Sequence, residues 1–114
     1  MTNPLTSDTM DEEAFKHVSA VVIERVRKAI DAEDPDVVEA NLEADVLKLS
    51  FPSGAPFVLN MQRPTREMWL AADRNAWHFK LTADGLWHEK KNGDELYATL
   101  ARLIGERARV QVTF

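Results

Sequence analysis

From Phe57 to Phe79 the chain reads FVLNMQRPTREMWLAADRNAWHF, and its apolar side chains recur at every second position. This two-residue period restricts the region to half-buried β-strands. Phe57, Leu59 and Met61 alternate with Val58, Asn60 and Gln62. Met68, Leu70 and Ala72 flank Trp69 and Ala71, and Trp77, Phe79 and Leu81 alternate with His78 and Lys80. Successive side chains on a strand point to opposite faces, so Asn60, Gln62, Trp69 and His78 fall on the face turned from the core. A tryptophan there is informative, because burying its side chain is favourable by about 2–3 kcal/mol. An exposed large apolar group of this kind marks a surface that meets a partner.

The same period continues on either side. Val38, Ala40 and Leu42 alternate with Val37, Glu39 and Asn41, and Leu47, Leu49 and Phe51 alternate with Val46, Lys48 and Ser50. The Pro52-Ser53-Gly54 turn is expected to close this hairpin, and a short strand around Trp87 follows the Asp84-Gly85 turn. At both ends the period becomes helical. Phe15, Val18, Val22, Val26, Ala29 and Ile30 predict a helix from about Met10 to Ala32, opened by a Thr9–Glu12 capping box and stopped before Asp34-Pro35. Leu96, Leu100, Leu103 and Ile104 predict a second helix beginning near Asn92 or Asp94, with Arg102 and Arg107 toward its negative end. Val110, Val112 and Phe114 are expected to lie extended against the core. Helix, about six antiparallel strands, helix predicts an α+β two-layer sandwich, with the N- and C-terminal helices packed on one face of the sheet. Residues 1–8 are expected to be disordered, and 9–114 to form a single domain.

Composition narrows the function classes. The 114 residues contain no cysteine, which excludes disulfides, thiolate zinc sites and cysteine nucleophiles within the chain. No apolar run reaches membrane-spanning length, and a cytoplasmic location is the expectation. The net charge of −5 is uneven: residues 1–45 hold 12 acids and 4 bases, residues 46–114 hold 7 acids and 10 bases. An acidic chain argues against nucleic acid as partner, and its acidic segment argues for a cation or a basic protein surface. Phosphate-binding glycine loops and nucleophile elbows are absent, and His17, His78 and His88 lack metal-ligand spacing. The chain is therefore expected not to be an enzyme.

The acids Asp31, Glu33, Asp34, Asp36 and Glu39 cluster where the first helix ends and the first strand begins, and there they oppose the helix dipole. Asp11, Glu12 and Glu13 form a second, smaller patch at the start of that helix. Exposed carboxylates suit hard or borderline cations, held weakly in the absence of a cage. The bland alternative is a solvated turn around Asp34-Pro35-Asp36.

Together these features resemble the bacterial frataxin (CyaY) family. The likeness is carried by Asn60, Gln62 and Pro64 in NMQRP, by Trp69-Leu70-Ala71, Trp77-His78-Phe79 and Asp84-Gly85-Leu86-Trp87, and by Gly93-Asp94-Glu95-Leu96, and it covers about residues 9–114. The resemblance implies a helix, a six-stranded antiparallel sheet and a C-terminal helix on the same side. It implies a monomer that regulates iron–sulfur cluster assembly, with the cysteine desulfurase and the cluster scaffold protein as partners. The alternatives are an iron chaperone delivering ferrous iron to the scaffold, or a ferroxidase. It implies weak surface binding of ferrous or ferric iron by Asp31, Glu33, Asp34, Asp36 and Glu39, with Asp11 and Glu12 secondary, and partner binding by Trp69, Asn60, Gln62 and His78. Two departures bear on this. Arg27 and Lys28 stand where the family often has acids, with Glu24 four before Lys28 and Arg27 four before Asp31, and Met61 replaces the basic residue usual in the NRQ-type motif.

Overall fold

The computed structural model describes residues 5–114. Helix α1 (Glu12–Asp31) is followed by strands β1 (Glu39–Glu43), β2 (Val46–Ser50), β3 (Phe57–Gln62), β4 (Glu67–Ala72), β5 (Asn75–Leu81) and β6 (Trp87–Glu89), and then by helix α2 (Leu96–Ala108). The strands form one antiparallel sheet in chain order from β1 to β6. Both helices bury their apolar stripes on one sheet face. Phe15, Val22, Val26 and Ile30 of α1 and Leu96, Leu100, Leu103 and Ile104 of α2 are buried together with Leu47, Leu49, Phe57, Leu59, Met68, Leu70, Trp77 and Phe79. This is the predicted two-layer α+β sandwich.

Alternation fixes the register. Leu47, Leu59, Leu70 and Trp77 pair in one row across β2 to β5 on the core side. Phe15 of α1 meets Trp87 of β6 edge to face, with ring centroids 6.3 Å apart. After α2, Val112 is buried and Val110 and Phe114 pack beside it, as the final alternation requires.

Several boundaries differ from expectation. The N-cap of α1 is Asp11, whose carboxylate accepts the Ala14 N–H at 2.8 Å; Thr9 instead bonds Thr6 in a preceding turn. The N-cap of α2 is Glu95, accepting from Tyr97 and Ala98, while Asn92 accepts the Asp94 N–H in a turn before it. The β1–β2 hairpin is closed by Ala44-Asp45, with Ala44 at φ 53°, and the Pro52-Ser53-Gly54 segment joins β2 to β3. Leu42 is 42% exposed, because β1 is the edge strand and that residue lies near its open end. The expected disorder over residues 1–8 falls in part on 1–4, outside the described residues. Within 5–8, Leu5 and Asp8 are exposed and Ser7 anchors the stretch: its hydroxyl is buried, donates to the Arg66 carbonyl at 2.6 Å and accepts the Leu81 N–H at 2.8 Å.

Candidate partner-binding face and acidic edge

Asn60, Trp69 and His78 share one register row on the outer face of β3, β4 and β5. Opposed residues on one face of an antiparallel pair stand close, and the Trp69 indole and His78 imidazole stack, with centroids 4.1 Å apart and planes inclined by 11°. Trp69 is half-buried rather than free-standing. Its indole N–H donates to Glu67 Oε1 at 2.8 Å. Glu67 lies two residues earlier and therefore on the same face, yet it is only 2% exposed. The Lys90 ammonium lies 3.2 Å from its second oxygen. Burial by itself would push the Glu67 carboxyl up. The donors around it, from Trp69, Lys90 and Thr65, outweigh that and hold it below the usual carboxylate range. The indole is thus oriented: turning it away would leave a buried carboxylate short of a donor. Gln62 shares the outer face but pairs with Glu67, one step along from the stack.

Glu67, Lys90 and Glu89 are absent from the sequence-derived site. The spacing Glu67-x-Trp69 places both side chains on one face and is the signal that could have found the first. Glu89 carries no such signal. It pairs with Phe79 in β6, and its carboxylate accepts the backbone N–H groups of His78 at 2.6 Å and Lys91 at 2.8 Å. In doing so it completes the edge of β5 where β6, three residues long, runs out.

The acids lie on another edge, where α1 meets β1. Asp31 ends α1 and pairs with Arg27 at 3.1 Å. Arg27 also holds Glu24, which lowers the Glu24 pKa chiefly through that hydrogen bond and takes the place of the expected Glu24–Lys28 pair. Asp34 Oδ1 accepts the Asp36 N–H at 2.9 Å, so Asp34-Pro35-Asp36 is the predicted turn. Glu33, Asp34, Asp36 and Glu39 form no salt bridge among the described residues. Asp11 is used as the helix cap, and Glu12 lies 3.9 Å from Arg63, which also binds Asp45 at 2.9 Å. The smaller acidic patch is therefore capped and partly neutralised. Among the described residues no three acids or histidines converge on a common point. A hard cation on this edge would meet only one or two carboxylates and keep most of its water.

A family model described as a frataxin-like domain matches residues 8–110. The chain belongs to the frataxin family. Within it, the chain is similar to bacterial members. The iron–sulfur cluster assembly protein CyaY of Ralstonia pickettii is 38% identical over 88 residues, a match spanning 77% of this chain and 76% of that protein. CyaY of Cupriavidus taiwanensis is 30% identical over 109 residues, spanning 92% and 96%. Among solved structures, frataxin from Psychromonas ingrahamii superposes with a TM-score of 0.83 at 23% identity, over 90% of this chain and 96% of that one. Trimeric frataxin from Saccharomyces cerevisiae, in complex with ferrous iron, gives 0.62 at 22% identity over 89% and 88%. These frataxins share the fold, with two helices on one face of an open six-stranded antiparallel sheet.

Proposed function

We propose that this frataxin-family chain takes part in iron–sulfur cluster assembly as a binding protein rather than an enzyme. It acts in the cytoplasm as a monomer that docks on the cysteine desulfurase and cluster scaffold and regulates them. The observation that carries the reading is the Trp69–His78 stack, held by buried Glu67 on the outer sheet face in register with Asn60. An immobilised aromatic loses little conformational freedom on association and makes an effective anchor. The naming of similar bacterial proteins for cluster assembly supports the choice of partner. Trp69→Ala is expected to weaken binding to the desulfurase–scaffold complex by about 2 kcal/mol, roughly thirtyfold, in calorimetry. Unchanged affinity would sink the reading.

A second reading, in which the chain carries ferrous iron as cargo, is favoured by the carboxylates of Glu33, Asp34, Asp36 and Glu39, which form no salt bridge among the described residues. The similar yeast frataxin in complex with ferrous iron lends it support. Ferrous iron added under anaerobic conditions is expected to perturb amide signals from Asp31 to Glu39 saturably, and those around Asp11 and Glu12 less. A titration that leaves that stretch unmoved would reject it.

A further inference from the structure

The outer sheet face changes character from one strand to the next. Beside the row of Asn60, Trp69 and His78 runs a second row, Val58, Ala71 and Ala76, paired in register. Two alanines next to an indole and an imidazole leave a depression of about 140 Å³, bounded by Val58, Asn60, Trp69 and His78. A second depression, of about 280 Å³, shares Ala76 and His78 with the first and runs on to Glu89, Lys90 and Lys91.

The charged groups at that end are unequally engaged. The Glu89 carboxylate is buried and accepts two backbone N–H groups, and Lys90 faces the buried Glu67. Lys91 is exposed and forms no salt bridge among the described residues. At the opposite edge of the same face, Glu39 and Glu43 of β1 are exposed and likewise form no salt bridge there. The face is therefore acidic at β1, carries the exposed Lys48 on β2 in register with Val58, is apolar at its centre, and ends at Lys91 beyond β6; like Lys91, Lys48 forms no salt bridge among the described residues.

We infer that the dimple at Ala71 and Ala76 receives an aliphatic side chain of a partner protein, and that Lys91 receives a carboxylate borne by the same partner segment. The inference rests on the reading of this face as the docking surface. A protein is the occupant that fits. The dimple is smaller than the roughly 300 Å³ at which small-molecule pockets begin, whereas a knob seated beside an aromatic anchor is the usual centre of a protein interface. Water over an alanine floor has few partners, so an aliphatic group displaces it favourably. The opposed charges at the two edges orient the partner, whose complementary segment is basic over β1, acidic or neutral over Lys48, and acidic over Lys91. Docking the other way round would set like charges against each other.

The test measures affinity for the desulfurase–scaffold complex by calorimetry, with thermal unfolding as a check on the fold. Ala76→Leu fills the dimple from an exposed position, and Ala71→Leu fills it from the neighbouring strand. Lys91→Glu reverses the charge, and Ala20→Leu, on the exposed surface of α1, is the control. Either leucine substitution is expected to weaken binding roughly tenfold at any salt concentration. Lys91→Glu is expected to weaken it several-fold at low salt, the loss fading toward about 1 M. The control should bind as wild type. Wild-type affinity in both leucine variants or in Lys91→Glu, with Trp69→Ala still weakened, overturns the inference and leaves the docking face standing. Wild-type affinity in Trp69→Ala overturns the docking face and the inference together.

Discussion

A single imidazole shows how side-chain chemistry sets a condition on this fold. His88 Nε2 lies 2.8 Å from Asp84 Oδ2, and Nδ1 lies 3.0 Å from the Gly93 carbonyl. Both neighbours only accept, so both ring nitrogens donate together only in the imidazolium. The Gly93 carbonyl, then the Asp84 carboxylate, push the His88 pKa above its ordinary 6.5, against partial desolvation. Asp84 is held down to about 2, first by the Thr82 hydroxyl, then by the Leu86 N–H and His88. Lys80, paired with His88 across β5 and β6, and Glu95, on the opposite side, are the other charges near the ring. A raised histidine pKa contributes stability that is complete below about pH 6.5 and disappears as pH rises through the folded-state value. Asp84 contributes above about pH 3.8 and loses its contribution as pH falls toward about 2. The advantage of wild type over His88→Gln in thermal unfolding is therefore expected to be largest between about pH 4 and 6.5 and to shrink above that window. An advantage that grew from pH 7 to 9 would contradict the imidazolium assignment.

At the scale of the elements, stability at helix ends rests on residues that the sequence pattern did not single out as caps. Asp11→Ala removes the acceptor for the Ala14 N–H and is expected to cost about 1 kcal/mol in denaturant unfolding, whereas Thr9→Ala, outside the cap, should cost measurably less. The strands and the stripe of α1 were legible because one period runs through each, and tertiary packing had only to agree with it. The helix starts were not, since Thr9 and Asp11 both satisfy a capping rule and only the path of the preceding turn decides between them. The same holds for α2, where Glu95, a residue type little favoured at such positions, is the cap. At the candidate face, alternation placed Asn60, Gln62, Trp69 and His78 together correctly. It said nothing of Lys90, which reaches Glu67 from beyond a different strand, and that contact makes the difference between a loose tryptophan and an oriented one. Arg107 is a parallel case: read from sequence as a dipole partner, it covers Phe51 and Phe57 and bonds the Ala55 carbonyl and the Asp73 carboxylate, tying two hairpin turns to α2.

The whole molecule separates its charges. The first 45 residues carry most of the acid, and the fold gathers much of it where α1 meets β1, whereas the Trp69 stack lies mid-sheet. The two surfaces should answer to salt differently, because exposed charges are screened within about 10 Å at 0.1 M ionic strength and apolar contacts are not. Reversing Asp31, Asp34 and Asp36 together to Lys is expected to weaken binding to the desulfurase at low salt and to lose most of that effect by about 0.5 M. The loss caused by Trp69→Ala should persist across the same range. Equal salt dependence of the two variants would mean that they report one surface. The order of the sheet has its own consequence for synthesis. Because β1 to β6 pair only with their chain neighbours, each hairpin can zip as it leaves the ribosome, at about 5–20 residues per second. The core side of that sheet lacks half its cover until Leu96–Ala108 emerges. Between the emergence of Glu89 and that of Ala108, about 1–4 s at that rate, the nascent chain therefore carries a nearly finished outer sheet face on one side and an open apolar face on the other, and the second is the surface a chaperone would bind.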